Sequence, residues 1–234
     1  MTRDDGRPER PHPVGDGKVV ALRLGGGFIA LWALLSGLGL LVTHVLGSGR
    51  LYDLDRGVDE WFAAHRSGPW NTVSAFGSGV ANTQTAIIVT VVAMLFLRLR
   101  LGRWYESLIV GVAIGGELLL FLAVTATVHR PRPPVSRLDA APPTSSFPSG
   151  HTAAAVALYG SLAVLLLWVY GRRTAIKVVA CILFAIPILV ALSRLYRGMH
   201  YPSDVIVGAL GGALWLLLVI TTLLPRQRST GDSG

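Results

Sequence analysis

Six apolar stretches, each near the length a helix needs to cross a bilayer, limit more than anything else what this chain can fold into. They occupy residues 24–46, 83–97, 105–128, 152–170, 175–195 and 204–224. A hydrocarbon core takes about 20 mostly apolar residues per helical crossing. It offers no partner to an unpaired backbone N–H or C=O, so each stretch must close its own hydrogen bonds as a helix. The second stretch is short, and the Gly/Ser-rich segment 73–81 before it reads as its backward extension. Composition agrees: 52% of the residues are hydrophobic, 15% are charged, and the mean hydropathy is +0.55, outside the balance of a soluble domain. The expected fold is all-α, a polytopic membrane protein with six transmembrane helices.

Residues 1–23, rich in proline, glycine and charge, read as a disordered cytoplasmic tail. Residues 24–224 form the six-helix domain, and 225–234 a cytoplasmic C-terminal tail. The first apolar run is long enough to stay as a span and no cleavage site follows it, so a signal peptide is not expected. Between the first two spans, residues 54–65 read as a short amphipathic helix with Leu54, Val58, Trp61 and Phe62 on one face, suited to lying along the membrane interface.

Lysine and arginine set the orientation. The N-terminal tail, the loop with Arg98, Arg100 and Arg103, the loop with Arg172, Arg173 and Lys177, and the tail with Arg226 and Arg228 alternate onto one side, expected to be cytoplasmic. The net charge of +8 comes from basic residues scattered between apolar runs, without the basic stripe interleaved with aromatics that nucleic acid requires. Bilayer lipids and a membrane lipid phosphate are the expected partners. Cys181, the single cysteine, lies inside an apolar run and reads as a small core residue. No histidine spacing suggests a metal site.

Three polar clusters fall on the opposite, outer side. The first is Arg130-Pro131-Arg132-Pro133, whose arginines offer planar forks matching phosphate oxygens; the alternative is contact with lipid phosphates at the interface. The second, Pro148-Ser149-Gly150-His151, precedes a span. Ser149 can cap that helix and Gly150 lets backbone N–H groups approach an anion. His151 can exchange protons near neutral pH, or serve only as a structural cap. In the third, Ser193-Arg194 is followed by His200 and Asp204. Gly198 suits a left-handed helix end and Pro202 the first turn of the next helix. Asp204, four residues after His200, is within reach of one ring nitrogen and would leave the other free to attack; the alternative is a connecting-loop cap. Glu117, inside the third span, either reaches toward a pocket or pairs with a buried donor.

The pattern resembles the type 2 phosphatidic acid phosphatase superfamily, whose signatures are Lys-x6-Arg-Pro, Pro-Ser-Gly-His and Ser-Arg-x5-His-x3-Asp. The second and third are complete here. In the first, Arg132-Pro133 fits but Thr125 stands where the lysine belongs. The resemblance implies a metal-independent lipid phosphatase without a cofactor. His200 would attack phosphorus, Asp204 would orient it, and His151 would act as acid and then base. Arg132, Arg194, Ser149 and Gly150 would hold the phosphoryl oxygens. Arg130 or Arg137 would make up for the lysine, or the Thr125 hydroxyl would give a weaker hydrogen bond. A phosphotransferase using the same phosphohistidine and a non-catalytic lipid-phosphate binder or transporter are the alternatives. Polyprenyl diphosphate, phosphatidylglycerophosphate and phosphatidic acid are the candidate substrates.

Overall fold

A computed structural model describes residues 16–141, 143–171 and 173–225. Most of the tail expected to be disordered, through residue 15, and the C-terminal residues 226–234 lie outside the described residues. Among the described residues the regular structure is all helical: α1 (Gly17–Leu40, continued by a π-helical turn, Leu41–Val45), α2 (Arg50–Ala64), α3 (Gly68–Gly79), α4 (Thr83–Leu101), α5 (Tyr105–Thr127), α6 (Gly150–Tyr170), α7 (Thr174–Tyr196) and α8 (Pro202–Leu223). The six helices α1, α4, α5, α6, α7 and α8 are long and apolar enough to cross a membrane.

The segment 73–81 does not extend the second span. It belongs to α3, a separate helix that ends in a turn before Asn82 accepts a hydrogen bond from the Thr85 N–H and starts α4. At its other end α4 closes on Gly102 at φ +69°, with Arg98 and Arg100 in the last turn, where cations are favoured.

Helix α6 is the centre of the bundle, packed by α5, α7 and α8. Its contact with α8 is close because Gly208 and Gly212 present no Cβ. An added one would meet the Ser149 carbonyl oxygen or the Ala153 carbonyl oxygen at 2.6 Å. The outer surfaces of α4 and α7 stay apolar and exposed (Ile88, Val92, Ile182, Ile188), as faces toward lipid must be. Cys181 is exposed on α7 rather than buried in the core, because α7 turns most of its surface outward.

Helix α2 is turned the other way from a soluble amphipathic helix. Leu54, Val58 and Trp61 are exposed, while Asp55 and Asp59 are buried against the protein. The long connection between α5 and α6 folds over the helix ends at Thr127, Gly150, Tyr196 and Pro202. It is tied down by the Ser146 N–H on the Arg130 carbonyl (2.9 Å) and the Leu138 N–H on the Arg197 carbonyl (3.1 Å), and anchored by the fully buried Phe147.

Candidate active site

The three clusters meet at a cavity of about 700 Å³ lined by Arg132, Asp139, His151, Arg194, Arg197 and His200 among others. Each is delivered by a different device. Helix α7 ends at Tyr196 with Arg194 in its last turn, and Gly198 at φ +70° reverses the chain so that His200 returns toward the bundle. Pro202 then starts α8. Gly150 and His151 occupy the first turn of α6, where the opening N–H groups have no partner within the helix and the dipole favours an anion.

His200 is 4% exposed, and its Nδ1 lies 2.7 Å from the Ser146 carbonyl oxygen. A carbonyl only accepts, so Nδ1 carries the proton and the neutral ring keeps a lone pair on Nε2. Burial first, then the Arg194 and Arg132 charges, push its pKa well below the ordinary histidine value, against the Ser146 hydrogen bond. The neutral form is therefore the resident one at neutral pH.

The bond expected between His200 and Asp204 is not made: Asp204 Oδ2 stands 3.9 Å from Nδ1. Asp204 instead accepts from Arg130 (2.5 Å), the Ser146 hydroxyl (2.5 Å) and the Tyr201 N–H (3.0 Å). It reaches His200 through Ser146, whose hydroxyl it binds and whose carbonyl holds the ring. Spacing along a helix start could not show that a loop residue 54 positions earlier fills the gap.

Arg130, expected at the phosphate, is buried between Asp55 (2.9 Å) and Asp204, gives a further hydrogen bond to Ser203 (2.7 Å), and lies over the Tyr201 ring at 4.2 Å. Two carboxylates claim it, so it has no fork left for a ligand. Thr125 is not among the cavity residues, and its hydroxyl is buried without a partner. Arg137 is exposed. None of the three replacements for the absent lysine lines the cavity. Ser149 stands at the N-cap, but its hydroxyl pairs with Thr152 Oγ1 (3.0 Å) instead of a backbone N–H.

Arg132 and Arg194 differ from Arg130 in one decisive respect: the Nε–H of each is buried with no partner. Arg132 gives Nη1 to the Met199 carbonyl (2.7 Å). Arg194 gives Nη1 to Ser78 (2.6 Å) and Asp139 (2.9 Å). Both side chains are thus fixed at one edge, each keeps one buried donor without a partner, and both line the cavity that His151 and His200 also line. Burial first, and then Arg137, hold the Arg132 pKa below its usual value, with Asp204 opposing; an anion between the guanidinium groups would relieve that cost.

The family model of the PAP2 superfamily matches residues 104–228, just over half of the chain. The chain belongs to the PAP2 superfamily. Phosphatidylglycerophosphatase B of Bacillus subtilis (strain 168) is 28% identical to it over 141 residues, covering 57% of this chain and 64% of the relative. Phosphatidylglycerophosphatase B of Escherichia coli (strain K12) is 38% identical over 82 residues, 35% of this chain and 30% of the relative. The chain thus spans less than two thirds of the length of these curated relatives. In fold, this PAP2 protein is similar to a transmembrane PAP2 type phosphatidylglycerolphosphate phosphatase from Bacillus subtilis. The TM-score is 0.73 at 22% identity, over 88% of this chain and 98% of that one. Aquifex aeolicus LpxE is a more distant match, with TM-score 0.55 at 23% identity, over 73% and 94%.

Several site residues of this PAP2 protein are invisible to motif reading. Asp139 receives Arg197 (2.6 and 2.8 Å) and Arg194. Burial alone would raise its pKa, but the two guanidinium groups hold it below the usual carboxylate value. Ser78 of α3 and Asp55 of α2 come from helices outside the matched span. The one available signal was the inward carboxylate pair Asp55 and Asp59, four residues apart on a helix whose apolar face was easier to see.

Proposed function

We propose that this PAP2 protein is an integral-membrane lipid phosphate phosphatase that hydrolyses a phosphomonoester or pyrophosphate headgroup through a phosphohistidine. One observation supports this most: two buried guanidinium Nε–H groups without partners flank the same cavity as two histidines. Arg132, Arg194 and the Gly150 N–H at the start of α6 hold the phosphoryl oxygens and offset charge that builds in the transition state. Ser149 contributes by setting that helix start, and the Ser149 and Thr152 hydroxyls keep each other satisfied.

His200 Nε2 attacks phosphorus while the bond to the leaving oxygen breaks, and His151 gives that oxygen its proton. Water then attacks the phosphohistidine, passing a proton to His151. The P–N bond breaks, and inorganic phosphate leaves with His200 neutral again. Asp204 acts through Ser146 as a positioning residue. With arginines supplying the positive charge, the reaction runs without a metal.

The substrate is a polyprenyl diphosphate, phosphatidylglycerophosphate or phosphatidic acid, its tail remaining in the bilayer while the headgroup enters the cavity. We place the protein in the bacterial cytoplasmic membrane with both termini inside. The cavity then faces outward, opposite the basic ends at Arg98, Arg100, Arg173 and Lys177, and α2 lies along the outer interface with Leu54, Val58 and Trp61 toward lipid.

A phosphate-release panel over the three lipids in mixed micelles, with and without EDTA, tests the reading. Wild-type protein is expected to release phosphate equally under both conditions, and folded His200→Ala to release none. Turnover retained by that variant sinks the histidine mechanism. Label passing from lipid to an added alcohol instead of appearing as phosphate reassigns the enzyme as a phosphotransferase. Binding without turnover reassigns it as a lipid-phosphate binder.

A further inference from the structure

Glu117 lies in the interior of α5, is 3% exposed, and lines the same cavity as the histidines. The other carboxylate of this helix, Glu106, is held by Arg103 at 2.6 Å. Glu117 makes no hydrogen bond or ion pair with any described residue. The cavity lining along α4 and α5 is mostly apolar, with Ile87, Val91, Ile114 and Leu118 beside Asn82 and Thr90. A carboxyl surrounded by such groups within a membrane span is costly unless something in the cavity bonds it.

The depth of Glu117 indicates what that partner is. The Phe121 ring comes within 2.8 Å of where a Cβ on Gly150 would be, which puts Phe121 level with the start of α6 and hence with His151. Glu117 comes four residues earlier, about 6 Å further from the phosphate end at the rise of an α-helix. A lipid bound with its phosphate at the histidines and its tail in the bilayer therefore passes Glu117 with the atoms just beyond its phosphate. In a phosphorylated glycerolipid these carry hydroxyl or ester oxygens. In a polyprenyl diphosphate, attacked at its terminal phosphate, they are the second phosphate, which repels a carboxylate, and then hydrocarbon, which leaves it unsatisfied.

We propose that Glu117 is a specificity residue whose carboxyl hydrogen-bonds the glycerol hydroxyl or ester group next to the phosphate, so that the cavity selects phosphorylated glycerolipids over polyprenyl diphosphates. The proposal rests on the lipid phosphatase reading and assigns its substrate class.

The test compares wild type, Glu117→Leu and Glu117→Gln on phosphatidic acid and a polyprenyl diphosphate in the same mixed micelles, with equilibrium binding of each lipid measured alongside. Glu117→Leu should lose about tenfold in kcat/KM for phosphatidic acid, the size of one lost hydrogen bond, while turnover of the polyprenyl diphosphate holds or rises. Glu117→Gln, which can still donate and accept, should stay close to wild type. An unchanged ratio between the two lipids in Glu117→Leu overturns the proposal, as does an equal loss on both in a protein that still melts cooperatively. If wild type turns over neither lipid, the phosphatase reading fails, and the binding arm still decides the role of Glu117 by whether Glu117→Leu weakens phosphatidic acid selectively.

Discussion

Arg130, Arg132 and Arg194 look alike in the sequence, and their hydrogen bonds separate them. Arg130 is shared by Asp55 and Asp204, whereas Arg132 and Arg194 each keep an unpartnered Nε–H beside the cavity. Arg194→Lys removes that donor and leaves a single ammonium to serve both Asp139 and the ligand. Loss of one such preorganised donor costs about a hundredfold, so kcat/KM on the best lipid substrate should fall by that order, with the thermal midpoint in detergent close to wild type. The state of His200 gives a prediction in pH. Because its pKa is lowered, the neutral ring that the proposed attack needs persists as pH falls through the ordinary histidine value of about 6.5. A profile of kcat/KM should show no loss from nucleophile protonation until well below that pH; an acid limb near the ordinary histidine value would refute it. At this scale the motif spacings correctly grouped His151, Arg132, Arg194 and His200. They could not show that Ser146 holds His200, because that contact joins residues far apart in the chain.

Helix packing decides how accurately the groups are held. Gly208 lets α8 approach the Ser149 carbonyl at the start of α6. Gly208→Ala would push a methyl against backbone that cannot rotate away, and overpacking of this kind costs about 1 to 3 kcal/mol. The shift falls on the helix turn carrying Gly150 and His151, so kcat should change more than KM, while Gly37→Ala on α1, where an added Cβ meets nothing, serves as the neutral control. Helix α2 contributes through Asp55, which holds Arg130 (2.9 Å), the Ser203 N–H (3.0 Å) and the Ser203 hydroxyl. Removing one partner of a buried ion pair costs about 3 kcal/mol or more. Asp55→Ala should therefore lower the thermal midpoint and loosen Asp204 and Ser146 with it, measured as a loss of kcat on the remaining folded protein. The spans were legible because lipid demands unbroken apolar helices. The break between α3 and α4 was not, since a Gly/Ser-rich helix and a weak span share the same composition.

For the molecule as a whole, the cap formed by α2 and the α5–α6 connection is a mesh of buried charge over an apolar bundle, and its pH response follows from Asp59. That carboxyl is fully buried with neither oxygen partnered. Burial first, then the charges of Asp55 and Asp204, push its pKa up to about 8, with Arg130 opposing. A folded-state pKa above the unfolded value of about 3.9 means the folded protein holds the proton more tightly. The resulting stability is fully present below the unfolded value and is lost as pH rises through 8. Thermal midpoints in detergent should decline between pH 5 and 8.5 in wild type and decline less in Asp59→Asn; parallel slopes would refute this origin.

The sequence by itself determined the six spans, the all-helical class, the PAP2 signatures and the residues that gather at the cavity. Hydropathy runs and short motif spacings depend on local geometry, and a linear chain records that directly. Only the tertiary structure decided which arginines keep free donors, that Ser146 rather than Asp204 holds His200, that Asp55 on α2 anchors the cap, and that Glu117 opens into the cavity. Each of these depends on which side chain reaches a shared partner first, and that competition is settled between residues distant in sequence once the helices have packed.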